Sequence, residues 1–488
     1  MVVFWLAAVV LALAVIVVDA CARPGVLAAR RLRSPSGLMV LVLATLSTYG
    51  VLLTLTGVPI VSAAGVATLA TGLSLISNIK RRVLGEPLVF SDFALMGAVF
   101  QYPQFYLSAL RLWQAMVLVV GLGGLVLTVV LLSNAALAPR LVGAGLTFGT
   151  AAGLALALSG LRLASFAAVP DPEVDVARLG LVPCLLAHWH AWRAMPDPPP
   201  CEATPIIGGA RQLVVIVQCE SFSDPADLFG DAALVLPGLE RARAIAWESG
   251  RLAVSGFGAY TMRTEYGVLF GLPENRLGAR RFDPYLTAAR EASWALPNRL
   301  APESWDRWFV HPHDLRFYGR DRIMPQAGFD TLVGPEAFVP PASGQGRYVT
   351  DAAITDQILD LAAHAPRAGL IYAVTIENHG PWPAAADASV SLGASYVELL
   401  RHGDLMLIRL MAELPRLGRP VTLCFFGDHR PSIPGVSEPG PDRHTPYVIV
   451  RFAADGTPMP GRGGTRDLEP AALHHAILSA IHLGEAKG

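Results

Sequence analysis

Cysteine is scarce and scattered. Cys21, Cys184, Cys201, Cys219 and Cys424 stand singly, with no pair at metal-finger or redox spacing, which excludes a disulfide framework and a thiolate metal site. Cys219 and Cys424 fall inside apolar, strand-like runs and read as buried, inert thiols. Net charge is almost absent too, −1 over 488 residues, so there is no basic face for nucleic acid. Asp, Glu, Lys, Arg and His are missing from the interiors of five long apolar runs, approximately Val2 to Val18, Leu38 to Thr56, Ile60 to Ser77, Ala115 to Leu132 and Leu141 to Leu161. Pumps and ion-coupled transporters keep ionisable groups at membrane depth for their relays, so this absence counts against transport.

What is present begins with those runs. Each is about as long as the ~17–25 residues a spanning helix needs, and a hydrophobic fraction of 53% is too high for a wholly soluble chain. Five transmembrane helices are expected, acting as an anchor. The first run lacks the basic segment of a signal peptide, so it reads as an uncleaved signal-anchor, with Cys21 simply at the helix end. Arg23, Arg30, Arg31 and Arg33 follow the first run, and Lys80, Arg81 and Arg82 follow the third. The positive-inside rule would put both loops, and with five spans the carboxyl-terminal region, in the cytoplasm.

Residues 1–162 thus read as the membrane domain. Residues 163–204 follow as a juxtamembrane segment: Val174 to Arg193 has the pattern of an amphipathic helix carrying Trp189 and Trp192, and Met195-Pro196-Asp197-Pro198-Pro199-Pro200 breaks it into a linker. From residue 205 to 488 the pattern changes. Gln212 to Gln218, Trp308 to Val310, Leu370 to Ile376, Val421 to Phe426 and Tyr447 to Arg451 are short apolar runs, alternating with helix-like stretches such as Asp351 to His364 and Tyr396 to Leu414. Strands alternating with helices predict an α/β domain with a mostly parallel central sheet.

Chemistry-bearing residues gather at the ends of these strands. Gln212 to Gln218 runs into Cys219-Glu220-Ser221-Phe222, Trp308 to Val310 into His311-Pro312-His313, Leu370 to Ile376 into Glu377-Asn378-His379, and Val421 to Phe426 into Gly427-Asp428-His429. Any one of these is more often a capped strand end than a ligand; four at one sheet edge, where α/β enzymes place their sites, point to a metal-dependent centre. Between the first two strands, Ser255-Gly-Phe-Gly-Ala-Tyr-Thr261-Met-Arg-Thr264-Glu265 is a glycine-containing loop opening a helix. A hydroxyl there is either a plain N-cap or part of a phosphate-binding helix start. A threonine hydroxyl is a nucleophile only when activated, and Glu220, Asp428 and His429 could hold one divalent cation beside it. A mixed oxygen and imidazole ligand set suits Mn²⁺ or Zn²⁺, with Mg²⁺ also accommodated.

These residues resemble the lipoteichoic acid synthase-like phosphoglycerol transferases, membrane-anchored members of the alkaline phosphatase and sulfatase superfamily. Glu220-Ser221-Phe222 matches the family's metal-ligand glutamate motif, Thr261 with Glu265 its catalytic threonine four residues before a glutamate, and Gly427-Asp428-His429 its Gly-Asp-His. His311 with Phe317-Tyr318 and Arg320-Asp321 resembles the substrate-side segment; Thr375-Ile-Glu-Asn378-His379-Gly-Pro381 and Asn78 to Asp92 also match in order. His313, where an acidic or small polar residue is expected, and Tyr318, in place of Trp, depart from the pattern. No Cys-x-Pro-x-Arg occurs, which sets aside modified-cysteine sulfatase chemistry, and no complete second-metal set is visible.

The resemblance implies five helices followed by an extracytoplasmic catalytic domain at the cell (inner) membrane, against the arginine count. It implies metal ligation by Glu220, Thr261, Asp428 and His429, catalysis by Thr261 and His379, and substrate binding by His311, Tyr318, Arg320 and His379. Phosphoglycerol would pass from phosphatidylglycerol to a glycan or glycerophosphate-polymer hydroxyl through a phospho-threonine-type intermediate. Phosphoethanolamine transfer, or hydrolysis, is the alternative. Basic residues between Lys80 and Asp92 would then lie close to anionic lipid head groups.

Overall fold

The structure, a computed structural model, describes residues 2–24, 33–95, 112–160, 169–209, 211–341, 346–382, 391–459, 461 and 464–482. Arg30, Arg31 and residues 163–168 of the expected juxtamembrane segment lie outside them. The chain divides into two compact units, Met1–Met195 and Pro196–Gly488.

In the first unit the apolar runs become the helices Val2–Cys21, Pro35–Thr56, Pro59–Leu84, Leu112–Leu132 and Leu137–Gly160. Proline at the first helical position starts two of them, and Gly57 and Gly85, at φ 69° and 73°, stop them with left-handed caps. Among the described residues, four helices are long and apolar enough to cross a membrane: Phe4–Cys21, Pro35–Thr56, Pro59–Leu84 and Leu137–Gly160. The sequence predicts five; the run Ala115 to Leu132 is helical, within Leu112–Leu132, but is not one of the four, and several of its side chains lie outside the described residues. Pro35–Thr56 and Leu137–Gly160 approach through glycines: a Cβ on Gly50 would lie 2.8 Å from the Gly143 carbonyl oxygen, and one on Gly143 2.7 Å from Thr54 N. Such small-residue contacts let backbones meet where lipid supplies no hydrophobic drive.

Ion pairs engage two of the basic residues that follow the third apolar run. Lys80 Nζ donates to Glu86 (3.2 Å), Pro87 O (2.9 Å) and Asp92 (2.6 Å), and Arg81 forks onto Glu173 at 2.7 and 2.9 Å. Arg33 is buried against Asp19, 3.2 Å away. The amphipathic helix expected over Val174 to Arg193 is two helices, Pro172–Leu179 and Leu181–Ala194, interrupted at Gly180 (φ 100°). Trp189 is partly exposed, whereas the Trp192 ring packs 5.7 Å from that of Phe90.

The second unit is built on a seven-stranded sheet in the order β2-β7-β6-β1-β5-β3-β4. The strands are β1 Leu213–Cys219, β2 Glu248–Ala253, β3 Trp305–Val310, β4 Thr331–Val333, β5 Ala368–Val374, β6 Val421–Gly427 and β7 His444–Phe452. β6, β1, β5, β3 and β4 run parallel, while β7 and β2 pair antiparallel at one edge. β1, β5 and β6 are buried along their whole length, as parallel strands covered on both faces must be. On one face Val215, Val217, Ile371 and Phe425 join Leu407 and Leu410 of the helix Leu392–Glu413 and Ile354 of the helix Asp351–His364 in one core. Each such side chain contributes about 1.5–3 kcal/mol by leaving water, and together they fix the strand register that the site depends on.

Candidate metal centre and active site

Register brings the first residues together. Cys219 of β1 is paired with Gly427 of β6, so Glu220 and Asp428 leave neighbouring parallel strands side by side at the sheet's carboxyl edge. His311 follows β3, and Glu377 to His379 follow β5, at the same edge. Chain geometry is unusual here: Ser221 holds φ 52°, a left-handed conformation costly for a side chain bearing Cβ. That turn lets the Ser221 amide donate to Asp428 Oδ1 (2.8 Å) while its hydroxyl donates to Glu220 Oε1 (2.9 Å). The Glu220 amide donates to Thr375 Oγ1 at 3.0 Å.

Glu220, Asp428 and His429 each offer a ligand atom, all within 4.8 Å of one another, and all three residues are buried. His429 Nδ1 faces the Arg430 carbonyl at 3.1 Å, which places its proton there and leaves Nε2 with its lone pair. That Nε2 sits 3.4 Å from Glu220 Oε1 and 3.5 Å from Asp428 Oδ2. His429 Nε2 and Asp428 Oδ2 are buried without a hydrogen-bond partner. Orphaned acceptors converging in a buried place suit a divalent cation, and a metal-bound histidine characteristically gives its other N–H to a carbonyl. Burial, and then the Asp428 charge, push Glu220 up to about 8, as two carboxylates packed together require.

Thr261 opens the helix Thr261–Phe270 and is buried; the residue before it, Tyr260, adopts φ 72° in the cap position, so Thr261 is the first helical residue rather than the cap. The loop ahead of it pairs with the segment after His429, Gly258 N donating to Arg430 O at 2.8 Å. Thr264 donates its hydroxyl to the Asp428 carbonyl at 2.7 Å, docking the first helical turn against the ligand-bearing strand end. Of the two threonines, Thr264 is thereby committed to the backbone.

The remaining expected residues fall on the β3 and β5 side. Arg320 is fully buried and forks onto Glu265, Nε to Oε1 at 2.9 Å and Nη2 to Oε2 at 2.6 Å. Burial opposes its charge, but the Glu265 carboxylate outweighs burial and holds its pKa above the ordinary value. Arg320 Nη1 meets His311 Nε2 at 3.2 Å, and the Tyr318 ring lies 5.3 Å from the guanidinium carbon. His379 Nδ1 faces the Gly380 carbonyl at 2.7 Å; burial lowers its pKa, opposed by the nearby Asp428 charge. His313 is held down at about 4, by burial first and then by the charges of Arg320 and His379.

Several participants carry no sequence signal of their own. Glu265 reads only as a spacing mark after Thr261, and Ser221 as part of a motif. Tyr348, whose ring stands 5.9 Å from that of His379, lies in a polar loop with no motif, and beside it Arg347 acts electrostatically on His379.

Known proteins share this region. The sulfatase family model matches residues 212–470, just over half of the chain. The chain belongs to the sulfatase family. It is similar to the capsular polysaccharide biosynthesis protein RkpI of Rhizobium meliloti (strain 1021), 30% identical over 449 residues that cover 87% of this chain and 83% of that protein. Among solved structures it is similar to the Streptococcus pyogenes phosphoglycerol transferase GacH in complex with sn-glycerol-1-phosphate, at TM-score 0.45 and 18% identity over 55% of this chain and 74% of that one. It is also similar to the lipoteichoic acid synthase LtaP from Listeria monocytogenes, at TM-score 0.42 and 16% identity over 56% and 72% of the two chains.

Proposed function

We propose that the chain is a membrane-anchored, metal-dependent phosphoglycerol transferase that moves the head group of phosphatidylglycerol onto a hydroxyl of a cell-envelope glycan or glycerophosphate polymer. The observation that carries the reading is the convergence of buried, unpartnered Asp428 Oδ2 and His429 Nε2 with Glu220, beside a helix that opens with Thr261. The name of RkpI, a capsular polysaccharide biosynthesis protein, favours a glycan acceptor. In this reading the chain lies in the inner membrane with its carboxyl-terminal unit on the periplasmic side, where such acceptors are found.

Glu220, Asp428 and His429, joined by the Thr261 hydroxyl, would hold one divalent cation, Mn²⁺ in our reading. When bound, that cation lowers the pKa of a coordinated hydroxyl and offsets charge on phosphoryl oxygens. Thr261 Oγ bonds to phosphorus, the ester bond to diacylglycerol breaks, and the departing oxygen takes up the proton that Thr261 gives. An acceptor hydroxyl then attacks the phosphorus, the bond to Thr261 breaks, and the acceptor's proton returns to Oγ. His379 is the carrier in both steps, since the engagement of Nδ1 with the Gly380 carbonyl makes Nε2 its exchange atom. Arg320 faces the phosphodiester as a fixed cation, with Tyr318 against it.

The test uses purified full-length protein, Mn²⁺ and phosphatidylglycerol labelled in the head group, with Thr261→Ala alongside. Diacylglycerol release with label on the wild type but not on the variant is expected. Turnover of phosphatidylethanolamine alone would transfer the assignment to phosphoethanolamine, release of free glycerophosphate without any acceptor product would make it a hydrolase, and inert lipids with metal bound would remove it.

A further inference from the structure

We propose that Glu265 is a positioning residue that clamps Arg320 and, through Arg320, holds His311 as a neutral hydrogen-bond acceptor, so that His311 orients the guanidinium instead of exchanging protons with substrate. The kinetic part of this inference rests on the head-group-transfer reading; the state of His311 does not.

Proton positions follow from the partners. A guanidinium has five N–H donors and no acceptor, so the 3.2 Å contact from Arg320 Nη1 requires a lone pair on His311 Nε2. The other ring nitrogen, Nδ1, lies 3.0 Å from the Val374 carbonyl, which can only accept. His311 is therefore fixed from both sides as the neutral Nδ1–H tautomer. The groups that act on it, Arg320, His313 and His379, are cationic when charged; burial and the Arg320 charge both oppose a second proton.

The geometry of Arg320 is set in turn by Glu265, itself fully buried. Besides taking two N–H groups of Arg320, Glu265 Oε1 accepts from the Tyr285 hydroxyl at 2.6 Å, and Oε2 from Gln218 Nε2 at 3.4 Å. Gln218 is braced by the Tyr372 hydroxyl at 2.8 Å. The bidentate fork fixes the guanidinium plane, and three of its five N–H groups are spent on Glu265 and His311. One N–H on each terminal nitrogen is left to meet an anionic oxygen. A planar fork so oriented recognises a phosphodiester by direction as well as by charge.

The experiment compares Glu265→Gln, Glu265→Asp and His311→Gln in the full-length protein. Glu265→Gln is expected to raise the donor KM, and with it lower kcat/KM by roughly 10²-fold, through misplacement of Arg320, with metal content unchanged; Glu265→Asp restores part of the loss. A glutamine at 311 can still donate to the Val374 carbonyl and accept from Arg320, so His311→Gln lowers the rate while leaving the shape of the pH profile of kcat/KM unaltered. Loss of one limb of that profile in His311→Gln, or a wild-type donor KM in Glu265→Gln, overturns the proposal. Should Glu265→Gln fail to fold, nitrogen NMR of ¹⁵N-histidine-labelled wild type, with His311 assigned by its absence in His311→Gln, decides: an Nδ1–H ring unchanged between pH 5.5 and 8 supports the clamp, and a titrating ring refutes it. That readout needs no turnover, so it stands even if the wild type transfers no lipid head group.

Discussion

Replacing Asp428 by Asn should invert the order of stability between metal-free and metal-loaded protein. The substitution keeps the shape of the side chain, and an amide oxygen at the Oδ1 position can still accept from the Ser221 and His429 amides, though more weakly than a carboxylate. It turns the orphaned Oδ2 into an N–H donor aimed at His429 Nε2 and removes one of two buried charges. With ligand atoms within 4.8 Å and an effective dielectric near 20, Glu220 and Asp428 repel by about 3 kcal/mol when both are ionised. Weakening two hydrogen bonds takes back about 1–2 kcal/mol. The sign depends on pH. Glu220, raised to about 8, keeps a proton at neutral pH, so the native state binds a proton the unfolded chain does not, and wild-type stability without metal falls as pH rises towards 8. In chelator, the variant should match the wild type at pH 7 and exceed it by roughly 1–2 kcal/mol at pH 8.5. With Mn²⁺ at 100 times its Kd the wild type gains about 2.7 kcal/mol and the variant little, reversing the order. Thermal unfolding of the full-length protein in detergent, with metal content measured in parallel, reads both. A variant that is several kcal/mol weaker in chelator yet gains as much from Mn²⁺ as the wild type would falsify the ligand assignment.

Thr264→Ala should cost about 1 kcal/mol by removing the hydroxyl that docks the helix on the Asp428 carbonyl, while leaving covalent labelling at Thr261 intact; unfolding and labelling measured together check it. Asp351 is fully buried, neither carboxyl oxygen has a well-formed hydrogen bond, and burial followed by the Glu377 charge pushes it up to about 8. Its share of stability is therefore lost as pH rises from about 4 to 8, at up to about 1.4 kcal/mol per pH unit, and Asp351→Asn should flatten the Tm–pH curve and raise Tm at pH 8. Lys80→Met leaves Glu86 and Asp92 without their shared cation, for a loss of about 3–5 kcal/mol that is the same in neutral and anionic lipid. If the loss appears only as altered activity in anionic lipid, Lys80 serves head groups after all.

Legibility in the sequence follows burial. β1, β5 and β6 are covered on both faces and stand out as unbroken apolar runs, so their carboxyl ends, and hence Glu220, Asp428 and His429, can be placed from the residue pattern alone. β2 and β4 give no such signal. Glu248–Ala253 is an edge strand reading Glu-Ser-Gly-Arg-Leu-Ala, and Thr331–Val333 has three residues. β3 begins at Trp305, three residues before the run seen in sequence, because Asp306 and Arg307 interrupt its pattern. The break at Gly180 is hidden because the apolar spacing continues across it, while the backbone turns through φ 100°. Partnerships between distant charges, Arg320 with Glu265 and Lys80 with Asp92, depend on tertiary placement, and no local pattern carries them.

The balance of charge around the site favours a cation between its carboxylates. Glu220 and Asp428 bring two carboxylates to one buried place, and the buried basic groups nearby are withdrawn. Arg320 is matched by Glu265, and the imidazoles of His311, His313 and His379 are all held below their ordinary pKa, chiefly by burial. A phosphodiester entering this environment adds a further negative charge. With the carboxylates ionised and nothing between them, it would meet two like charges, against which Arg320, already shared with Glu265, has two N–H groups to offer; with one of them protonated, His429 Nε2 and Asp428 Oδ2 would still lack partners. A divalent cation removes both difficulties at once. Donor binding should therefore depend on prior metal loading, rather than metal acting only on the rate of a donor already bound.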